Sequence, residues 1–273
     1  MRIERRLNQP RWLQVAVPLG SVAFALVVMA IVLALTGHDP ATTYRRLFDA
    51  AFTAHGALDQ TLVSATPLAF TGLAAAAAFR MRLFNIGAEG QLLVGAITAA
   101  AAGLYLGGKG GPSALAIGAM VVAGAAGGAA WALIPGFLRA FWRTNEIITS
   151  LMLNYVAAYL LTYLIFNTNS YWRQTKGFNA SVFPTSKQLP DSALWPGWTL
   201  HLQGGIELPL GAGLAVLVAV GLWLLYSRTR FGFEVAVLGD SPRAGRYAGM
   251  RTRRKILAVM AISGAIAGLG GAS

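Results

Sequence analysis

The sequence predicts an all-α, polytopic membrane protein with seven transmembrane segments. Seven apolar stretches of 18 to 27 residues run along the chain, and about 20 residues are needed to cross a hydrocarbon layer of ~30 Å. Hydrophobic residues make up 56 % of the chain and charged residues only 12 %, too few to solvate a globular surface of this size. The predicted segments are Leu13–Leu35, Thr61–Phe79, Ile86–Leu106, Pro112–Leu138, Ile147–Phe166, Leu208–Tyr226 and Ile256–Ser273.

The basic residues lie in the gaps between these segments and favour one side. With the N-terminus placed in the cytoplasm, 16 of the 22 Lys and Arg residues fall on the inner side and 6 on the outer side. This bias predicts a cytoplasmic N-terminus. The net charge of +12 therefore reflects topology, with the lipid bilayer and its anionic headgroups as a partner and nucleic acid not expected. The first segment is too long for a signal peptide and is interpreted as a membrane anchor.

Enzymatic and metal chemistry find little support in the sequence. Cysteine is absent, and His38, His55 and His201 all fall in outer loops without metal-ligand spacing. Neither a phosphate-binding GxxxxGK[ST] loop nor an HExxH motif is present. We therefore expect no catalytic residues, no metal and no cofactor in this chain.

Small residues and prolines inside the segments indicate how the helices pack. Gly124 with Gly128, and Gly264 with Gly268, have the spacing that allows two helices to cross closely. Pro67 and Pro135 each remove a backbone hydrogen bond, so kinks or breaks are expected at both.

A long outer loop, residues 167–207, is rich in aromatic residues and proline. It is interpreted either as an interfacial aromatic belt at the headgroup level or as a rim that contacts a partner on the outer face. The aromatic residues are Tyr171, Trp172, Phe178, Phe183, Trp195 and Trp198.

The inner segment, residues 227–255, predicts a short helix outside the membrane. Ser241 or Asp240 can cap a helix that starts at Pro242, and Gly249 suits the left-handed residue after its end near Ala248. Such a helix can dock into a groove on a soluble partner. Alternatively, it lies on the bilayer surface, held by lipid phosphates through Arg243 and Arg246.

Five polar residues near the membrane remain to be explained. Glu89 is the only formal charge in the seven segments, and an ionisable group there is costly unless it is used or paired. Glu89 and Glu146 can act as first-turn acids at helix N-termini and pair with Arg80, Arg82, Arg139 or Arg143. The competing hypothesis places polar side chains on a translocation path or in a buried polar pair; the candidates are Asn85, Glu89, Gln91, Glu146 and Asn154.

Three motifs carry a family resemblance. They are Phe84-Asn-Ile-Gly-Ala-Glu-Gly-Gln91, Thr144-Asn-Glu-Ile-Ile-Thr-Ser-Leu-Met-Leu-Asn-Tyr155, and the loop from Thr229 to Met250. In this order they resemble the permease subunits of bacterial ABC importers, in the branch for branched-chain amino acids, ribose-type sugars and nucleosides. The first motif, with the Met152-Leu-Asn-Tyr155 stretch of the second, is most similar to the nucleoside subgroup, whose partner is a basic-membrane-protein-type lipoprotein.

The resemblance covers roughly residues 61–273, and we expect one permease domain over residues 1–273 in the bacterial inner membrane. The resemblance implies that it works with a second permease subunit, an ABC ATPase subunit and an extracytoplasmic substrate-binding lipoprotein. ATP hydrolysis is expected on the separate ATPase, so this chain is not expected to be an enzyme. Its small polar solute would be a nucleoside. The residues implied in coupling to the ATPase are Gly239, Asp240, Pro242, Arg243, Ala244 and Tyr247.

Two alternative functions stay open, and the chain differs from the family pattern in one respect. The alternatives are a ribose-type sugar permease of the same family and a proton-coupled secondary transporter that uses Glu89. Family members continue through further spans after the segment that resembles Ile256–Ser273. We therefore expect this chain to be truncated at its C-terminus, with more spans in the complete protein.

Overall fold

A computed structural model describes residues 11–53, 57–107, 113–167, 169–175, 184–194, 197–200 and 206–273. The chain divides into two compact units, residues 1–58 and 59–273. Within the described residues, seven helices are long and apolar enough to cross a membrane, which confirms the predicted fold class. They are α1 (Arg11–Leu35), α3 (Ala57–Phe79), α4 (Ala88–Gly107), α5 (Ser113–Trp142), α6 (Glu146–Phe166), α7 (Leu210–Arg228) and α10 (Thr252–Ala272).

The first unit contains α1 and a short second helix, α2 (Pro40–Phe48), followed by a π-helical turn at Asp49–Thr53. Asp39 caps α2, because its carboxylate accepts hydrogen bonds from the backbone N–H groups of Ala41 and Thr42. The Tyr44 hydroxyl donates to the carbonyl of Leu26 over 2.5 Å, which ties α2 to α1.

In the second unit, α4, α5 and α10 approach so closely that side chains are excluded between them. A Cβ added to Gly128 would overlap the carbonyl oxygen of Gly264, and one added to Gly268 would overlap that of Gly124. The two predicted glycine pairs therefore pack against each other, which confirms the close helix crossing.

Of the predicted kinks or breaks at the two prolines, the breaks are wrong. Helix α3 continues through Pro67 and α5 continues through Pro135. Pro135 is buried in the bundle, where packing from neighbouring helices compensates for the one backbone hydrogen bond that it removes.

A larger apolar core joins α3, α7 and α10 to the inner segment. Phe70, Val235 and Val259 are fully buried in it. Tyr226, at the end of α7, packs into the same core and donates its hydroxyl hydrogen to the carbonyl of Ala77 over 2.9 Å. The inner segment is thus packed against the membrane helices and shares their apolar core.

The described parts of the outer loop include a short strand pair and a turn that packs on the bundle. Strands β1 (Gly197–Leu200) and β2 (Ile206–Pro209) form a short antiparallel pair, a small exception to the all-α prediction. A 3₁₀ turn at Asp191–Ala193 buries Ala193, and the Ser192 hydroxyl donates to the carbonyl of Gly107 over 3.2 Å.

Among the aromatic residues of this loop, Tyr171 is exposed, and the ammonium of Lys187 lies over its ring. Phe178, Phe183, Trp195 and the Trp198 side chain lie outside the described residues, so the choice between belt and rim stays open.

The inner segment contains two helices, of which only the second was expected. Helix α8 (Arg230–Asp240) begins after Thr229, whose hydroxyl accepts a hydrogen bond from the Gly232 N–H. Helix α9 (Pro242–Tyr247) has Ser241 as its N-cap, and Gly249 adopts a φ of 77° just after its end. The predicted start and exit of α9 are therefore confirmed.

Candidate functional site

Two of the predicted polar residues are joined in a buried amide cluster. The Asn85 and Gln91 side chains are 2 % and 1 % exposed, and they exchange two hydrogen bonds of 2.9 Å. Asn85 also donates to the Ser263 hydroxyl over 2.8 Å and accepts from the Gly87 N–H over 3.1 Å. Ser263 in turn donates to the carbonyl of Ala74 over 2.6 Å. The cluster therefore joins α3, α4 and α10 by hydrogen bonds that its members satisfy among themselves.

Asn154 caps α4 from a different helix. The first N–H groups of a helix have no partner within it, and here the side-chain oxygen of Asn154 accepts from the Gly90 N–H over 2.9 Å. The Asn154 amide donates to the carbonyl of Ile86 over 3.0 Å. A Cβ on Gly90 would stand 2.9 Å from the Asn154 Cα, so glycine at this position allows α6 to come close enough.

Glu146 forms the ion pair that one hypothesis predicted. It is buried at the start of α6, and its carboxylate lies 3.2 Å from Nε of Arg139 near the end of α5. The side chain of the preceding residue, Asn145, accepts from the Ile147 N–H over 2.9 Å and caps the same helix. The pair thus closes the short connection between α5 and α6.

Glu89 behaves differently from the other four. It lies in the first turn of α4, and its side chain is exposed. Within the described part of the chain it forms no salt bridge; Arg82 pairs with Asp240 at 2.9 Å and Arg139 with Glu146. The predicted arginine partners therefore do not bind Glu89, whereas the N-terminal position in a helix is as expected.

The residues implied in coupling lie together around the start of α9. Pro242 opens the helix, and the Ser241 hydroxyl accepts from the Ala244 N–H over 3.3 Å. Arg243 is exposed and Tyr247 is 98 % exposed. One turn separates them on the helix, so they share a face. This face is exposed.

Asp240 and Gly239 hold α8 and α9 to the rest of the chain. The carboxylate of Asp240 binds Arg82 in the turn after α3, so Asp240 does not act as the helix cap. Gly239 is buried, and a Cβ there would stand 2.8 Å from the carbonyl oxygen of Arg80. Both residues thus contact the turn between α3 and α4, which carries Asn85.

Sequence reasoning missed Ser263 and the partner of Asp240. Ser263 is a hydroxyl within the apolar part of α10, and such a group requires a hydrogen-bond partner, which was the signal available. No group of three or more metal-ligating side chains occurs among the described residues.

The chain is similar to three permease subunits of ABC transporters. The chain is 37 % identical to a glucose ABC transporter permease of Haloferax volcanii, over 99 % of this chain and 70 % of the relative. It is 34 % identical to a guanosine ABC transporter permease of Bacillus subtilis and 32 % identical to a nucleoside ABC transporter permease of Lactococcus lactis, each over 94 % of this chain and 70 % of the relative. No solved structure matches the chain.

Residues 57–273 match the family described as the permease component of branched-chain amino acid transport systems. This range contains six of the seven candidate spans, the amide cluster and α9. The chain therefore belongs to this family and is a multi-pass membrane permease subunit of an ABC transporter.

Proposed function

We propose that the chain is the permease subunit of an ATP-driven importer of nucleosides. The exposed face of α9 is the observation that supports the transport mechanism. The solute assignment is supported by two relatives that are named for guanosine and nucleosides. The proposed assembly contains a second permease subunit, a separate ABC ATPase and an extracytoplasmic binding lipoprotein. It lies in a bacterial inner membrane with the N-terminus in the cytoplasm.

Coupling follows from the packing of the inner segment. An ATPase groove would receive the face of α9 that carries Arg243 and Tyr247, both of which are exposed. Closure of the ATPase would move α9, and the Asp240–Arg82 pair would pass this movement to the α3–α4 turn. This mechanism requires no catalytic group in the permease itself.

We infer that Asn85 and Gln91 stabilise the helix bundle rather than bind the solute. Asn85 and Gln91 are bonded to each other and to Ser263, so they have little capacity left for a ligand. Their proposed contribution is to fix the N-terminus of α4. Glu89 remains the candidate for the translocation path, because its carboxylate is exposed and forms no described ion pair.

The solute assignment is tested by uptake in the full-length system with its own binding lipoprotein. Radiolabelled adenosine or uridine should accumulate, and an excess of unlabelled nucleoside should compete. Excess leucine, ribose or glucose should leave nucleoside uptake unchanged.

A sugar permease is the second candidate, since one relative at 37 % identity is named for glucose. A sugar and a nucleoside both present several hydroxyl groups, but only the nucleoside has a flat base that can stack on aromatic rings. Uptake of labelled glucose or ribose without competition by adenosine or uridine would assign the sugar class and reject the nucleoside.

The alternative of a proton-coupled transporter that uses Glu89 predicts a different dependence of uptake on the proton gradient and on ATP. Dissipating the proton gradient at constant ATP should leave uptake by an ABC importer intact. Loss of uptake under this condition, with ATP verified as unchanged, would reject the ATP-driven mechanism.

A further inference from the structure

A basic cavity of about 620 Å³ lies where the turn after α3, the end of α5, helix α9 and the start of α10 meet. We name it the basic cavity. Five guanidinium groups line it, together with Thr252 and several apolar side chains. The arginines are Arg82, Arg139, Arg143, Arg246 and Arg253.

Two of these five charges are neutralised within the protein. Arg82 pairs with Asp240 at 2.9 Å and Arg139 pairs with Glu146 at 3.2 Å. The other three form no salt bridge in the described part of the chain, although Arg253 lies over the ring of Phe141 at 5.2 Å. Three guanidinium groups around one cavity repel each other, and an anion between them would remove that repulsion.

Arginine occupies two positions of this cavity at which the backbone conformation would be less strained with glycine. Arg82 and Arg143 have φ values of 54° and 56°, and they are the only non-glycine residues with positive φ in the described ranges. Arg82 ends α3 as Gly249 ends α9, with the following N–H bonded to the carbonyl five residues earlier. Left-handed backbone at such residues costs on the order of 1 kcal/mol or more. Both side chains line the basic cavity.

The start of α10 supplies a further donor. Its N-cap, Arg251, forms no side-chain capping hydrogen bond, and the first turn of the helix lines the cavity. The Thr252 hydroxyl is buried and has no hydrogen-bond partner among the described residues. A helix N-terminus, a free hydroxyl and guanidinium groups together are the donor set that binds phosphate.

The position along the bundle indicates where the phosphate comes from. Trp142 and Phe141, at the end of α5, are exposed next to Arg143, and exposed aromatic residues at the end of a membrane helix mark the headgroup level. We propose that the basic cavity binds a phosphate group supplied by an anionic phospholipid headgroup, which bridges the end of α5, the start of α10 and α9. The inner segment, and with it the coupling helix, would then be held in place partly by lipid.

Binding is tested on the assembled complex in detergent by native mass spectrometry, with phosphatidylglycerol and phosphatidylcholine as probes. The test variant is Arg143→Gly with Arg246→Gln, because glycine suits the left-handed backbone at residue 143 and the fold should be retained. The matched control is Arg228→Gln with Arg230→Gln, which removes two charges from the same end of the bundle but outside the cavity. Thermal unfolding of each variant in phosphatidylcholine verifies the fold.

Wild-type protein should retain phosphatidylglycerol over phosphatidylcholine, and the test variant should lose affinity for it by about 30-fold, at roughly fivefold for each guanidinium. The control variant should retain it. Equal retention by wild type and test variant, or equal loss in test and control variants, would overturn the proposal. Displacement of bound lipid by millimolar inorganic phosphate would support a phosphate site that also accepts the free ion. If neither phosphatidylglycerol nor inorganic phosphate binds, and the arginines of the basic cavity instead contact the ATPase, the proposal is overturned. The cavity would then be a contact site for an acidic protein surface.

Discussion

The buried side-chain amides of Asn85 and Gln91 are joined by two reciprocal hydrogen bonds of 2.9 Å. Asn85 uses its second N–H on Ser263, which belongs to α10. One side chain thus connects the turn before α4 to a helix nearly at the other end of the chain. Because the site is buried, a partner that loses its hydrogen bonds there cannot turn to water instead.

Replacement of Asn85 should destabilise the bundle without changing any exposed surface. Asn85→Ala leaves the Gln91 amide and the Gly87 N–H without partners, at a cost of about 1–3 kcal/mol for each unsatisfied group. We expect a lower midpoint of thermal unfolding in detergent and less protein in the membrane. Asn169→Ala, at an exposed asparagine, is the control; an equal effect of both substitutions would contradict the role of the cluster.

The α5–α10 crossing should not tolerate a single added methyl group at Gly268. The Cβ of alanine would overlap the carbonyl of Gly124, so the helices must separate. Such overpacking typically costs about 1–3 kcal/mol. Gly118→Ala, in α5 but with nothing within 4 Å of the added Cβ, should be neutral or stabilising by up to about 1 kcal/mol. Thermal unfolding of the two variants gives the comparison, and a stable Gly268→Ala protein would show that the crossing can relax.

Coupling to the ATPase should fail when the exposed face of α9 is altered. Arg243→Glu with Tyr247→Ala reverses one charge and removes a ring that is 98 % exposed, so the fold should be unaffected. We predict that solute-stimulated ATP hydrolysis by the assembled complex is abolished while membrane insertion is normal. The matched control on α8 is Arg230→Glu with Phe233→Ala, both exposed residues. Stimulation at the wild-type level in the α9 variant would refute the coupling role.

Glu89 should matter for transport more than for stability. As a first-turn acid in α4 it contributes only about 0.3–1 kcal/mol, and its exposed carboxylate has no described ion pair to lose. Glu89→Gln should therefore unfold near the wild-type temperature yet reduce uptake at least tenfold per molecule in the membrane. Glu89→Asp, which keeps the charge, should recover part of the uptake. Near-normal uptake by Glu89→Gln would restrict this residue to its helix-end role.

The sequence by itself determined the features that depend on neighbouring residues. The lengths of the apolar segments fixed seven candidate spans, because each must cover the thickness of the hydrocarbon layer. The order Asp240-Ser241-Pro242 predicted the start of α9, since capping and the fixed φ of proline act within one turn. The three motifs identified the family that the comparison with relatives confirmed.

Tertiary structure decided which polar groups meet. Asn85 lies 178 residues from Ser263, and Arg82 lies 158 residues from Asp240. No local sequence pattern predicts either pairing, because each depends on how closely whole helices approach one another. The distance between the helices is set in turn by the small residues between them. For the same reason the sequence left Glu89 and Glu146 as equivalent candidates for an arginine partner. Packing buried Glu146 against Arg139 and left Glu89 exposed.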